Sequence, residues 1–120
     1  MLIFVYGTLK RGHDNHRWLT GATFIDEGFA HGTMYDIDGA YPGVIFGGSD
    51  TVQGEVYDVD AVILQSLDGL EGFDPMNLAG ALYVRREVAV TSEVHPQGIS
   101  CIAYQWNCGI EYAAIESGIW

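Results

Sequence analysis

Five consecutive apolar residues, Leu2-Ile3-Phe4-Val5-Tyr6, stop at Gly7. An unbroken run of strand-like residues, without polar alternation, suits a strand covered on both faces. Such a strand needs neighbours on both sides, and the chain offers several. Ala22 to Ala30 and His31 to Ile37 read as a pair of strands, with Gly28 and Gly32 permitting a bulge or bend. Gly43 to Phe46 reads as a short strand after Tyr41-Pro42, and Thr51 to Val59 as another. Ala81 to Val90 and Ile99 to Trp106 read as two long strands joined by a polar turn around His95-Pro96. About eight short strands in so short a chain must curl or close, because a flat sheet would expose too much apolar surface. The expected class is α+β: a small mixed β-barrel with one main helix.

That helix is predicted from Asp60 to about Leu70. Asp60 is a suitable N-cap, and Ile63, Leu67 and Leu70 fall on one face. Gly69 and Gly72 weaken its far end and help stop it. Glu71 then sits at or just beyond the helix C-terminus. A loop from Phe73 to Gly80 follows, and the tail from Asn107 to Trp120 is apolar enough to lie against the body.

Composition narrows the functions. The 120 residues include 16 Asp or Glu against 5 Lys or Arg, a formal charge of −11, and 48% are hydrophobic. That is enough apolar material for a core, in a length suited to one domain spanning 1–120. Five cations cannot build a large phosphate-binding patch, so nucleic acid is disfavoured, and an anionic membrane surface equally so. No apolar run approaches a membrane span or the apolar centre of a signal peptide, so a cytoplasmic location is expected. The two cysteines, Cys101 and Cys108, are expected to be reduced there. The four histidines show no metal-ligand spacing and there is no CxxC, so no metal site is expected.

Three segments have residues suited to chemistry. In Tyr6-Gly7-Thr8-Leu9-Lys10-Arg11-Gly12 a buried strand runs into a glycine, a hydroxyl and two cations. Successive backbone N–H groups in such a turn form an anion-binding concavity. By spacing alone the same residues also fit a solvated basic turn. In Leu67-Asp68-Gly69-Leu70-Glu71-Gly72 two carboxylates lie three residues apart at a helix end. The helix dipole there raises a carboxyl pKa, which suits a general acid and base near neutral pH. A pair of surface carboxylates at a helix end is the plainer account of the spacing alone. In Leu82-Tyr83-Val84-Arg85-Arg86 alternation puts Tyr83 and Arg85 on one strand face, where Tyr83 is able to hydrogen-bond a substrate. Charge protection of an edge strand accounts for the segment equally well. Asn15-His16 reads as a capping or loop element.

In their order and spacing these segments resemble the gamma-glutamylcyclotransferase-like family, which includes the AIG2-like proteins. The resemblance rests on Phe4 to Gly12 with Asn15-His16, on Tyr41-Pro42-Gly43, on Gly54-Glu55-Val56-Tyr57, on Leu67 to Pro75 followed by Leu82 to Arg86, and on Ser117 to Trp120. It implies a small β-barrel with flanking short helices, and release of 5-oxoproline (pyroglutamate) from a small gamma-glutamyl substrate. It also implies a glutamyl-cradling loop at Tyr6, Gly7, Thr8 and Leu9, a catalytic glutamate at Glu71 rather than Asp68, and a linked tyrosine at Tyr83. Thr8 stands where many members have Ser, and either hydroxyl donates a hydrogen bond.

The implied reaction needs no protein nucleophile, no metal and no cofactor, because the substrate's own α-amine attacks its own γ-carbonyl. No nucleic acid, membrane or obligate protein partner is called for. Lys10, Arg11 and Arg85 are candidate partners for the substrate's α-carboxylate. Two other outcomes stay open: a non-catalytic small-molecule-binding module of the same fold, and a hydrolase that releases free glutamate. The leaving amine is not specified by any of these residues.

Overall fold

A computed structural model describes all 120 residues. The strands are β1 (Leu2–Val5), β2 (Thr23–Ile37), β3 (Tyr41–Asp58), β4 (Tyr83–Val90) and β5 (Ile99–Trp106), with one α-helix, α1 (Ala61–Glu71). Short 3-10 turns lie at Asp14–Leu19 and Leu78–Gly80. The five strands form one sheet in the order β2-β3-β1-β5-β4.

β1 is central, as its apolar run requires. It pairs antiparallel with β3, where Leu2 faces Asp58 and Val5 faces Glu55, and parallel with β5 at Ile3 and Ile102. Its side chains alternate between two cores. Ile3 and Val5 pack with Leu64 and Leu67 of α1, whereas Phe4 and Tyr6 pack with Met34, Val44, Val52, Val56 and Cys101. Burial on both faces explains why no polar residue interrupts the run.

Against the expected eight or so short strands in a closed or half-closed barrel, the structure has five strands in one sheet that is not closed. The two predicted strands at Ala22–Ala30 and His31–Ile37 are one continuous β2, and the segments at Gly43–Phe46 and Thr51–Val59 belong to one β3. They pair as a long antiparallel hairpin. His31 faces Thr51 but Gly32 faces Phe46, so residues 47–50 loop out of the ladder. Gly32 therefore marks a register shift as predicted, while the ladder runs straight through Gly28.

The edge strands do not form a second ladder. One isolated bridge joins Phe29 to Thr91, with backbone bonds of 2.8 and 2.9 Å, and the sheet is otherwise open. The long hairpin contributes side chains to both cores and α1 to one of them, so apolar surface is covered without closure. The class is α+β, with one five-stranded sheet and few helices.

α1 starts and stops where its sequence signals lie. The Asp60 side chain accepts a bond from the Ile63 N–H at 2.8 Å, a standard N-cap. Gly72 closes the helix in the left-handed region at φ 67°, where a side chain would be strained. Leu64 and Leu67 are its buried residues, and Ile63 and Leu70 pack at the margin.

The tail lies along the body. The Ile115 N–H donates to the Met34 carbonyl at 2.7 Å, and the Gln53 N–H donates to that of Gly118 at 2.9 Å. Cys101 is buried, Cys108 is exposed, and both are free thiols. No helix is long and apolar enough to cross a membrane.

Candidate active site

The chain leaves β1 at Tyr6 and turns over the end of the sheet. There it meets the C-terminal end of α1, the start of β3 and the start of β4 around a cavity of about 350 Å³. Tyr6, Gly7, Thr8 and Leu9 line one part of it, and Leu70, Glu71, Leu82 and Tyr83 another. Asp14, Asn15, Tyr41, Pro42 and Tyr104 complete most of the wall. All six predicted site residues, including Glu71 and Tyr83, therefore meet at one cavity.

The loop is held from its carbonyl side. The Gly7 carbonyl accepts from the Lys10 N–H and the Thr8 carbonyl from the Asn15 N–H, each at 3.0 Å. His16 Nδ1 lies 2.9 Å from the Leu9 carbonyl. The N–H groups of Gly7, Thr8 and Leu9 have no acceptor within the protein. Three successive unbonded donors beside a cavity are a ready site for a carbonyl oxygen or an anion. The Thr8 hydroxyl accepts from Asn15 Nδ2 at 3.0 Å, which leaves its own proton free to donate. Gly7 is required by a close approach: a Cβ there would lie 2.6 Å from Pro42 Cγ.

Glu71, the last residue of α1, is half-buried in the wall. Burial pushes its carboxyl up to about 7. The predicted cause was the helix dipole; the structure supplies desolvation instead, with no nearby cation to offset it. Its charge also reaches three tyrosines of the cavity. Burial raises Tyr6, Tyr83 and Tyr104, and Glu71 adds to each shift.

Asp68, one turn earlier, has a different occupation. It accepts the Tyr104 hydroxyl at 2.6 Å and lies 3.7 Å from Arg85 Nε. The guanidinium of Arg85 in turn covers the Phe73 ring at 4.8 Å. One carboxylate of the pair braces the wall, and the other is left open to the cavity.

The tyrosine hydroxyls serve as braces too. Tyr6 donates to the Tyr104 carbonyl at 2.6 Å, and Tyr83 donates to the Pro42 carbonyl at 2.7 Å. With its proton committed, Tyr83 offers a ligand only its ring and an acceptor oxygen. The cations expected as carboxylate partners are likewise engaged elsewhere. Lys10 Nζ bonds the Trp120 carbonyl at 3.2 Å, Arg11 pairs with Glu55 and Glu27, and Arg85 with Asp68. None of the three lines the cavity.

Several wall residues escaped the sequence reading. Asn15 braces Thr8, Asp14 stands at the rim, and Tyr104 carries the Tyr6 and Asp68 bonds. Asn15 and Tyr41-Pro42 were visible as segments without an assigned contact. Tyr104 had no signal beyond strand alternation.

The fold and this cavity define a small α+β protein in which one uncompensated carboxyl and a loop of free N–H donors line the same cavity. Residues 3–120 match the family model described as gamma-glutamyl cyclotransferase, AIG2-like. The gamma-glutamylcyclotransferase family protein ytfP of Citrobacter rodentium is 34% identical over 122 residues, covering 100% of this chain and 95% of that protein. The gamma-L-glutamyl-butirosin B gamma-glutamyl cyclotransferase of Niallia circulans is 35% identical over 72 residues, 59% of this chain and 46% of its own length. The crystal structure of an AIG2-like protein from Mus musculus superposes with a TM-score of 0.82 at 26% identity, covering 99% of this chain and 86% of that one. Matches to curated relatives from Drosophila melanogaster and Vibrio cholerae cover only 52% and 61% of those proteins. The chain belongs to the gamma-glutamyl cyclotransferase, AIG2-like family.

Proposed function

We propose that this protein is a gamma-glutamyl cyclotransferase, releasing 5-oxoproline and a free amine or amino acid from a gamma-glutamyl amide. The observation that carries the reading is Glu71: a carboxyl raised to about 7, without a partner of its own, on the wall of a cavity that also holds the Tyr6–Leu9 loop. A site that only bound its ligand would have no use for a carboxylate poised to exchange a proton at neutral pH.

In this reading the substrate's glutamyl chain is folded in the cavity so that its α-amine lies against its γ-carbonyl carbon. Well-oriented intramolecular attack of this kind is worth about 7–11 kcal/mol of barrier. Glu71 takes a proton from the α-ammonium. The nitrogen bonds to the carbonyl carbon, and the C=O pair moves onto oxygen. Unbonded N–H groups of Gly7, Thr8 and Leu9 are the candidates to stabilise that oxyanion, at about 2.7–4 kcal/mol for one well-placed donor. The oxyanion then collapses and the old C–N bond breaks as Glu71 gives its proton to the leaving nitrogen; the new ring nitrogen, still carrying two protons, gives up the second, which the departing amine takes to leave as an ammonium. One carboxyl serves as base and then as acid, which is most efficient when its pKa is near the working pH.

The test is product analysis on a panel of gamma-glutamyl amines and amino acids, with Glu71→Gln as control. Expected is 5-oxoproline from the wild type and none from the variant. Free glutamate in place of the cyclic product would establish hydrolysis. Ligand-induced thermal shifts with no turnover across the panel would establish a binding module.

A further inference from the structure

Glu55 is the one buried charged residue of this protein, at 7% exposure, and it does not line the cavity. Its carboxylate accepts three hydrogen bonds: the Arg11 backbone N–H at 2.9 Å, Arg11 Nε at 3.2 Å and the Tyr57 hydroxyl at 3.0 Å. Burying a paired charge adds little to stability over an apolar residue of similar shape, so stability alone does not account for it. Position does. Glu55 faces Val5 across the β1–β3 ladder, at the point where the chain enters the loop. Its side chain then holds the N–H of Arg11, just after the loop ends. Both ends of the Tyr6–Leu9 loop are tied to a single residue of β3.

A second thread runs from the same carboxylate. Tyr57, oriented by its bond to Glu55, packs against the His16 ring at 5.8 Å, and His16 contacts the Leu9 carbonyl. On the outer side, the Arg11 guanidinium lies over Phe24 at 4.1 Å and reaches Glu27 at 3.3 Å. Arg11 is therefore fixed from both sides.

We infer that Glu55 is a positioning residue of the reaction: it clasps the loop at Val5 and Arg11 and so keeps the unbonded N–H groups of Gly7, Thr8 and Leu9 in one arrangement. This rests on the cyclotransferase reading, in which those groups hold the developing oxyanion. Displacement of such donors by about an ångström costs on the order of 100-fold in rate, with less effect on ground-state binding.

The experiment compares wild type, Glu55→Leu and Glu55→Gln in steady-state release of 5-oxoproline, each well below its own melting temperature. Glu55→Leu removes every acceptor, and its kcat is expected to fall roughly 30-fold with KM moving less than about 3-fold. Glu55→Gln keeps an oxygen for the Arg11 N–H, and is expected to recover kcat to within about 5-fold of wild type. The midpoint of the pH–rate profile, set by Glu71, stays in place in both. Should Glu55→Leu not fold, Glu55→Asp replaces it: it keeps the charge but withdraws the oxygens by one methylene, and a lower kcat than that of Glu55→Gln is expected. Variants that all turn over like wild type overturn the inference. So does a loss of kcat that only follows the unfolded fraction, or one that moves the profile midpoint. A wild type that yields no 5-oxoproline would instead sink the cyclotransferase reading. The clasp is then judged by amide hydrogen exchange at Lys10, Arg11 and Asn15, whose N–H groups bond Gly7, Glu55 and Thr8, expected to be about 10-fold faster in the Leu variant, or the Asp variant in its place, and refuted if unchanged.

Discussion

Glu55 and Glu71 flank the same loop, both lose solvent on folding, and they titrate in opposite directions. Burial alone would raise Glu55, but the Arg11 N–H, the Tyr57 hydroxyl and the Arg11 guanidinium together bring it below its ordinary value. Glu71 meets the same desolvation without those donors and rises to about 7. Burial does not by itself decide the state of a carboxyl; the donors that accompany it do. One glutamate is thereby locked as an anion that holds the backbone, and the other is left able to exchange a proton.

The sharpest way to break that contrast is Glu71→Gln. Removal of a general acid and base is expected to lower kcat by about 10³-fold, within the range such groups contribute. The melting temperature should hold or rise, because an unpaired carboxyl leaves the cavity. Turnover within 10-fold of wild type would remove Glu71 from the chemistry.

Gly7→Ala comes next. Its Cβ would meet Pro42 Cγ at 2.6 Å, and overpacking of this kind costs about 1–3 kcal/mol, read as a lower urea midpoint together with reduced kcat. Asp68→Asn then tests the two carboxylates of α1 against each other. Loss of the charged partner of Tyr104 and Arg85 is expected to cost about 1–2 kcal/mol of stability, with kcat lowered by less than about 10-fold. A kcat loss as deep as that of Glu71→Gln would show that the two carboxylates share one role.

The pH dependence separates the two glutamates with signs that follow from their shifts. Glu71 must be ionised to accept a proton, so kcat/KM should rise with pH through about 7. Its folded-state pKa lies above the unfolded value. The stability tied to it is therefore complete below the ordinary carboxylate range and is lost as pH rises through about 7. Glu55 lies below its unfolded value, so its contribution is present above the ordinary range and is lost as pH falls through the depressed value. Melting curves of wild type and Glu71→Gln should diverge progressively as pH rises from the ordinary carboxylate range to about 7, and run parallel above it. The smallest effect is expected for Thr8→Ser, which keeps the hydroxyl that accepts from Asn15; kcat should stay within about 3-fold.

Elements set by local chemistry were legible in the residues. The Asp60 cap, the leucine stripe and Gly72 bound α1, and the uninterrupted apolar run placed β1 at the centre of the sheet. The bounds of β5, Ile99 to Trp106, match those read from the sequence after the polar turn at His95-Pro96. β2 and β3 were misjudged because the glycines and polar residues inside them signal breaks. Within a long hairpin they mark a register shift and an outlooping segment, and hydrogen bonds to the partner strand carry the ladder past them. The sheet is not closed, and it is built from fewer and longer strands than the residues suggest.

The site divides along the same line. The residue types at Tyr6–Leu9 and Asp68–Glu71, their order, and hence the family, are properties of the sequence alone, because spacing along the chain is what defines them. Two decisions belong to the tertiary structure. Asp68 is given to Tyr104 and Arg85 while Glu71 is left unpaired, and Lys10, Arg11 and Arg85 are drawn away from the cavity by acceptors distant in sequence. The physical reason is that the charge state of a carboxyl, and the partner of a cation, depend on desolvation and donors contributed by other strands. Those neighbours exist only once the chain has folded.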